Sequence, residues 1–313
     1  MNLKQAFFSS PGPVGLKDMF QLYLKGVAMG AADIIPGVSG GTIALIAGIY
    51  SNLIDAIKSL DMEGIKKLLK LDFSGFLAHV HVRFLVVLLA GIGTAILSIA
   101  RAMHWLLENQ PTFTWSAFFG LILASIWVLS RKVKWSANKV LAFVIGAGGG
   151  FFLVGLIPVA TPETWWFIVL CGMIAICAMI LPGISGAFLL LILGKYEYVT
   201  AALKHPFSAE SLVIIGCFMI GAFFGITSFS RVLSYLLHHY EALTLAFLTG
   251  LMTGSLRKVW PWKDVLETQM IRGKSYVLRE ANLLPVVDVN LMICLGLMIA
   301  GVVLVLRLEK VAS

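Results

Sequence analysis

Two stretches decide the reading of this chain: PGVSGGTIALIAGIYSNLIDAIK at 36–58 and PGISGAFLLLILGKYEYVTAALK at 182–204. Aligned without gaps, they share ten of 23 residues (Pro, Gly, Ser, Gly, Leu, Ile, Gly, Tyr, Ala and Lys), where about two or three matches would arise by chance. The correspondence continues downstream. Gly91, Ser98, Arg101, Leu106, Leu107 and Gly120 recur as Gly221, Ser228, Arg231, Leu236, Leu237 and Gly250. The first copy carries additional residues between Ser59 and His81, so the chain is an internal duplication.

Around these motifs the composition is that of a membrane protein. Apolar residues make up 59% of the 313, and only 13% are charged, about half the usual share for soluble domains. Too little polar surface is available to cover a soluble globule, and the scarcity of charge also excludes a disordered chain. Segments free of charge cover 34–54, 84–100, 109–130, 140–162, 164–194, 211–230, 242–256 and 289–306. They are continuous rather than alternating, which favours helices over an outer-membrane barrel. The expected fold is an all-α polytopic membrane protein, a single transmembrane domain over 1–313, with repeat A at about 20–160 and repeat B at about 164–308. Each repeat is read as a Pro-Gly-broken re-entrant hairpin followed by three spans, near 84–100, 114–130 and 140–158, then 211–230, 242–256 and 287–306. Three crossings per copy would set the second copy upside down relative to the first, an inverted repeat of the secondary-transporter kind.

The net charge of +8 reports orientation more than ligand preference. Lys58, Lys66, Lys67, Lys70 and Arg83, and then Arg131, Lys132, Lys134 and Lys139, fall on the cytoplasmic side if the N-terminus is inside. The loop 257–286 dissents. It carries Arg257, Lys258, Lys263, Arg272, Lys274 and Arg279, yet the odd number of crossings places it outside. Cys171, Cys177, Cys217 and Cys294 lie in apolar runs and read as small core residues. The first twenty residues hold no apolar stretch long enough for a signal-peptide core. No metal or cofactor is expected, nor a nucleic-acid partner.

The Pro-Gly-x-Ser-Gly motif has a definite local chemistry. Pro removes a donor and resists helix on its N-terminal side, Gly permits a left-handed turn, and Ser is a favoured N-cap for the helix that follows. The product is a half-helix whose N–H groups point into the membrane interior, a setting suited to an anion such as phosphate. Pro36, Gly37, Ser39, Gly40, Gly41 and Thr42, with Pro182, Gly183, Ser185 and Gly186, are the candidate phosphate-binding residues. Gly and Ser also mediate tight helix packing, so the motif is open to a purely structural reading. Its duplication favours the ligand.

Arg101 and Arg231 end equivalent apolar runs. They are candidates for bidentate contact with a phosphate monoester, or else for snorkelling to headgroups. Asp33, three residues before the first break in AADIIPG, is a candidate proton or cation site, and Glu197 is a second one. Tyr50 and Tyr196 read as interfacial anchors.

GAADIIPGVSGGTIALIAGIY (30–50) together with LPGISGAFLLLILGKYEYV (181–199) resembles the PopT polyprenyl-phosphate transporter family, over about 15–308. The resemblance implies a multi-pass protein of a bacterial or archaeal plasma membrane that moves undecaprenyl phosphate across the bilayer for reuse in cell-envelope synthesis. It also implies that the two motifs line the headgroup site. Its partners would be the lipid substrate and the surrounding membrane lipids; H+ or Na+ is the candidate coupling ion on the strength of Asp33. An acidic residue often follows the first-copy Tyr in that family. Ser51 stands there, which puts a role for an acid at that position in doubt, whereas the second copy keeps Glu197. Two further functions stay open: a secondary transporter of a small anion or another lipid phosphate, and an intramembrane lipid-phosphate enzyme. The enzyme is disfavoured because Ser230-Arg231 is followed by His238 without a matching Asp.

Overall fold

A computed structural model describes residues 3–34, 39–159, 161–204, 206–271 and 274–312; Pro36 and Gly37 of the first motif lie outside the described residues. The chain is an all-α polytopic membrane protein. A short α1 (Leu3–Ser9) leads to α2 (Leu16–Asp33), the first break, and two short helices, α3 (Gly40–Ile46) and α4 (Tyr50–Lys58). The extra residues of the first copy fold as α5 (Met62–Leu69) and α6 (Phe73–His79), capped by the Asp61 and Asp72 carboxylates. Then come α7 (Val82–Asn109), α8 (Pro111–Lys132) and α9 (Ala137–Leu153). The second copy repeats the order: α10 (Trp165–Ile180), the second break, α11 (Gly186–Ile192), α12 (Tyr196–Lys204), α13 (Ala209–His239), α14 (Glu241–Val259) and α15 (Val289–Ala312).

Four helices, α7, α8, α13 and α15, are long and apolar enough to cross a membrane, and α9 and α10 are shorter apolar helices of 17 and 16 residues. The helices α7 and α13 run well past Arg101 and Arg231, where the charge-free segments stop, because an exposed arginine on a helix flank does not interrupt its backbone bonds. Each motif contains a second bend that the Pro-Gly reading did not foresee. Gly48 (φ 70°) turns α3 into α4 at 119°, and Gly194 (φ 63°) turns α11 into α12 at 113°. Both are the shared glycine of the aligned stretches, and both occupy the left-handed region.

Packing follows the duplication. The helix before each break lies on the long helix after it, α2 on α7 and α10 on α13, through equivalent glycines. A Cβ on Gly91 would overlap the Tyr23 carbonyl, and one on Gly221 the Val169 carbonyl. Without a hydrophobic drive between helices in lipid, such backbone contact is what holds them together. The remaining spans exchange partners: α9 packs on α14, and α15 packs on α8. Their crossings are again glycines, since a Cβ on Gly250 would strike the Phe143 carbonyl and one on Gly120 the Met298 carbonyl.

The molecule has two distinct ends. At one, Asp55 and Lys58 at the close of α4 meet Ser234 near the close of α13, and Ser59 Oγ accepts from the His81 N–H where α7 begins. The equivalent helices α7 and α13 therefore run in opposite directions. At the other end sits an element that sequence reading took for a loop, an antiparallel hairpin of β1 (Lys263–Ile271) and β2 (Lys274–Asn282). It docks by its aromatic base: the Trp260 ring lies edge-on to Phe119 at 5.4 Å, and Lys263 Nζ lies 4.4 Å from the Trp115 ring centroid. The dissenting basic loop is thus at the end opposite the Lys58 and Arg83 cluster. Its charges are partly neutralised there, Lys258 and Lys263 both reaching Glu280, at 3.0 and 3.4 Å.

The largest core cluster is built around α3 and α4, from Ile43 to Ile57, against α2, α7, α8, α13 and α14. The helices α11 and α12 join only small clusters at its edge.

Candidate functional site

The two breaks meet. Gly183 N–H donates to Thr42 Oγ1 at 3.0 Å, Ser39 Oγ donates to the Met179 carbonyl at 3.2 Å, and Tyr50 Oη donates to the Ile180 carbonyl at 3.1 Å. The start of α3 is therefore stapled to the end of α10 and to the second Pro-Gly turn. Gly183 sits at φ 85°, where a side chain would press on the Met252 backbone.

At the first break the helix-start donors are already taken. Gly40 N–H donates to Asp33 Oδ1 at 2.6 Å and Gly41 N–H to Ser39 Oγ at 3.1 Å. Asp33 thus places a carboxylate where the sequence suggested an anion would sit. The second break differs. Ser185 occupies the N-cap position of α11 in extended backbone, makes no capping bond and borders a cavity of about 230 Å³. Asp33, Ser39, Ser185, Gly186, Tyr196 and Thr200 contribute its polar or small lining, and Phe218, Leu203 and Leu190 its apolar walls. Pro182, Gly183, Ser185, Gly186, Ser39, Gly40, Gly41, Thr42 and Asp33 therefore form one region.

The remaining candidates lie elsewhere. Arg101 and Arg231 are exposed on α7 and α13 and do not line this cavity; Arg231 Nη1 bonds the Thr227 carbonyl of its own helix. Because the two helices are antiparallel, these arginines sit toward opposite ends of the molecule. Glu197 is half-buried in the first turn of α12, one residue beyond Tyr196 of the cavity wall. Tyr50 is not an interfacial anchor: it is 2% exposed and bonded to the second break.

Sequence reasoning missed two lysines. Lys195 is buried at the bend between α11 and α12, its Nζ donating to the Thr161 carbonyl at 2.8 Å. Lys25 does the equivalent for the first bend, donating to the Ala47 carbonyl at 2.9 Å. Neither stands at the same place in the two copies, so the repeat alignment did not reveal them. Their interruption of apolar context was the available signal.

The profile of the VCA0040-like family, described as undecaprenyl phosphate translocase-like, matches residues 29–276. The chain belongs to this family. The matched VCA0040-like region takes in both breaks, the cavity and most of the β-hairpin. A polyprenyl-phosphate transporter of Vibrio cholerae serotype O1 is 42% identical over 300 residues, covering 93% of this chain and 96% of that protein. A polyprenyl-phosphate transporter of Staphylococcus aureus is 30% identical over 253 residues, covering 76% and 85%. No solved structure matches the chain.

Proposed function

We propose that this protein transports a polyprenyl phosphate across the plasma membrane, returning undecaprenyl phosphate for reuse in cell-envelope synthesis, and that it does so as a transporter rather than an enzyme. The observation that carries the reading is the meeting of two equivalent helix breaks on one cavity, hydroxyl-bearing at Ser39 and Ser185 and apolar at Phe218 and Leu203. Such a lining suits a phosphate head attached to an apolar tail better than a free anion. The names of the VCA0040-like family and of its two relatives agree.

In this reading the two copies form an inverted repeat, supported by the opposed directions of α7 and α13 and by the exchanged packing of the later spans. The end bearing Lys58, Arg83 and Arg131 is cytoplasmic, and the β-hairpin end is external. Arg101 and Arg231 draw the phosphate toward the protein at opposite surfaces, and the breaks receive it between them. Asp33 supplies coupling. A phosphate reaching Gly40 competes with the Asp33 carboxylate for the same N–H, and the released carboxylate takes up H+ or Na+. Glu197, beside the cavity, is the second coupling candidate.

The test is reconstitution of the full chain in liposomes carrying labelled undecaprenyl phosphate in one leaflet. Accelerated loss of the label from that leaflet, reduced in Ser185→Ala, is expected. No acceleration by the wild-type protein sinks the reading, and release of inorganic phosphate would make it an enzyme.

A further inference from the structure

A second cavity, of about 320 Å³, lies under the β-hairpin. Arg257, Lys258, Glu280 and Asn282 line it, with Phe188 and Gly155 on the protein side. Its wall is shared. Ala187 and Leu190 of α11 border the central cavity, and Phe188 and Leu191 of the same helix border this one. A single helix of seven residues therefore separates the two spaces.

The charges around this outer cavity do not balance. Lys258 and Lys263 share one carboxylate, Glu280, which the two ammonium groups hold below the usual carboxylate range despite burial. Burial pushes Lys263 down to about 8 against the pull of Glu280, leaving it charged at neutral pH. Arg257 has no carboxylate partner among the described residues: its guanidinium lies 4.5 Å from the Phe151 ring centroid, with one N–H toward the Phe151 carbonyl at 3.5 Å. Lys258 Nζ also lies 5.2 Å from the Phe188 ring centroid, on the dividing helix. Two cations, Arg257 and Lys258, and one anion, Glu280, whose charge Lys263 also draws on, thus face a polar recess beside an aromatic wall, a composition that recognises a phosphate monoester.

We infer that Arg257 and Lys258, with Asn282, form a vestibule for the phosphate headgroup at the β-hairpin end, from which α11 admits it to the central cavity. This site deepens the proposed function and rests on it. Glu280 restrains the vestibule by occupying Lys258, and an arriving phosphate takes over that contact.

Binding of farnesyl phosphate and of inorganic phosphate to the purified full chain in nanodiscs tests the assignment. Arg257→Gln and Lys258→Gln are each expected to weaken farnesyl phosphate about tenfold, the loss of one charge-assisted contact. Glu280→Gln is expected to tighten it, because it frees Lys258; a merely structural role for the ion pair would weaken it instead, overturning the proposal. Competition by inorganic phosphate would assign recognition to the headgroup alone, and its absence would assign it to head and tail together. Unchanged affinity in the Arg257→Gln, Lys258→Gln double variant, with Ser185→Ala weakened, removes the vestibule and leaves the central site standing. Failure of the wild-type chain to bind farnesyl phosphate overturns both.

Discussion

The two Pro-Gly-x-Ser-Gly motifs are alike in sequence and unlike in setting. Among its described residues the first is engaged: Asp33 and Ser39 hold its helix-start N–H groups, Thr42 and Ser39 bind across to the second copy, and α3 and α4 sit in the centre of the core. The second has an uncapped Ser185, a cavity on one side of α11 and a vestibule on the other, and only small apolar clusters around it. Duplication supplied two similar motifs. Packing has anchored the first in the core and left the second with few buried contacts, and elements of that kind open at least cost.

The sharpest way to break this contrast is at the glycines. Gly183→Ala combines a left-handed backbone with overlap of the Met252 backbone and should cost about 3 kcal/mol, whereas Gly48→Ala, with open space around it, should cost only about 1 kcal/mol for the backbone alone. Thermal unfolding in detergent measures both, and equal losses would mean that the contact between breaks adds nothing. Next in size is Asp33→Ala, which leaves the Gly40 N–H without its partner and should destabilise by about 2 kcal/mol. Asp33→Asn keeps an acceptor and should recover most of that stability, yet flatten the pH dependence of lipid movement. A pH profile like the wild type's would remove Asp33 from coupling.

Smaller effects separate the two N-caps. Ser39→Ala loses a cap and should cost about 1 kcal/mol. Ser185→Ala, which loses no bond, should change stability by less than about 0.5 kcal/mol while slowing lipid movement. The reverse pattern would exchange the roles assigned to the two breaks. The smallest effect concerns the β-hairpin. Lys263 has its pKa lowered from 10.5 to about 8, so the unfolded or undocked form binds the extra proton between those values. Docking should therefore tighten as pH rises from about 8 toward 10.5. Tryptophan fluorescence from Trp115, Trp260 and Trp262 would follow it, and Lys263→Met should abolish the trend.

Much of this architecture was legible because membrane segments announce themselves by the absence of charge, and because a gapless alignment exposes a duplication. Pro182-Gly183 marked a real break, and the recurrence of Gly91 as Gly221 marked equivalent positions, which the fold uses as helix crossings. Other features were hidden for physical reasons. The second bend at Gly48 and Gly194 lies inside an apolar run, where hydropathy carries no signal. The β-hairpin mixes polar and apolar residues along its sequence and so reads as a loop by hydropathy alone. The occupation of the Gly40 N–H by Asp33 is a contact seven residues apart that no spacing rule reveals.

The exchanged packing of α8 with α15 and α9 with α14 bears on how the chain is made. During synthesis the first half emerges with the Gly120 and Gly146 faces of its later spans uncovered, and their partners come more than a hundred residues later. Those spans must wait in the bilayer as unpaired helices until the C-terminal segments insert. A chain cut between Leu153 and Trp165 would yield two incomplete pieces, so assembly quality can be judged only once the last helix has arrived.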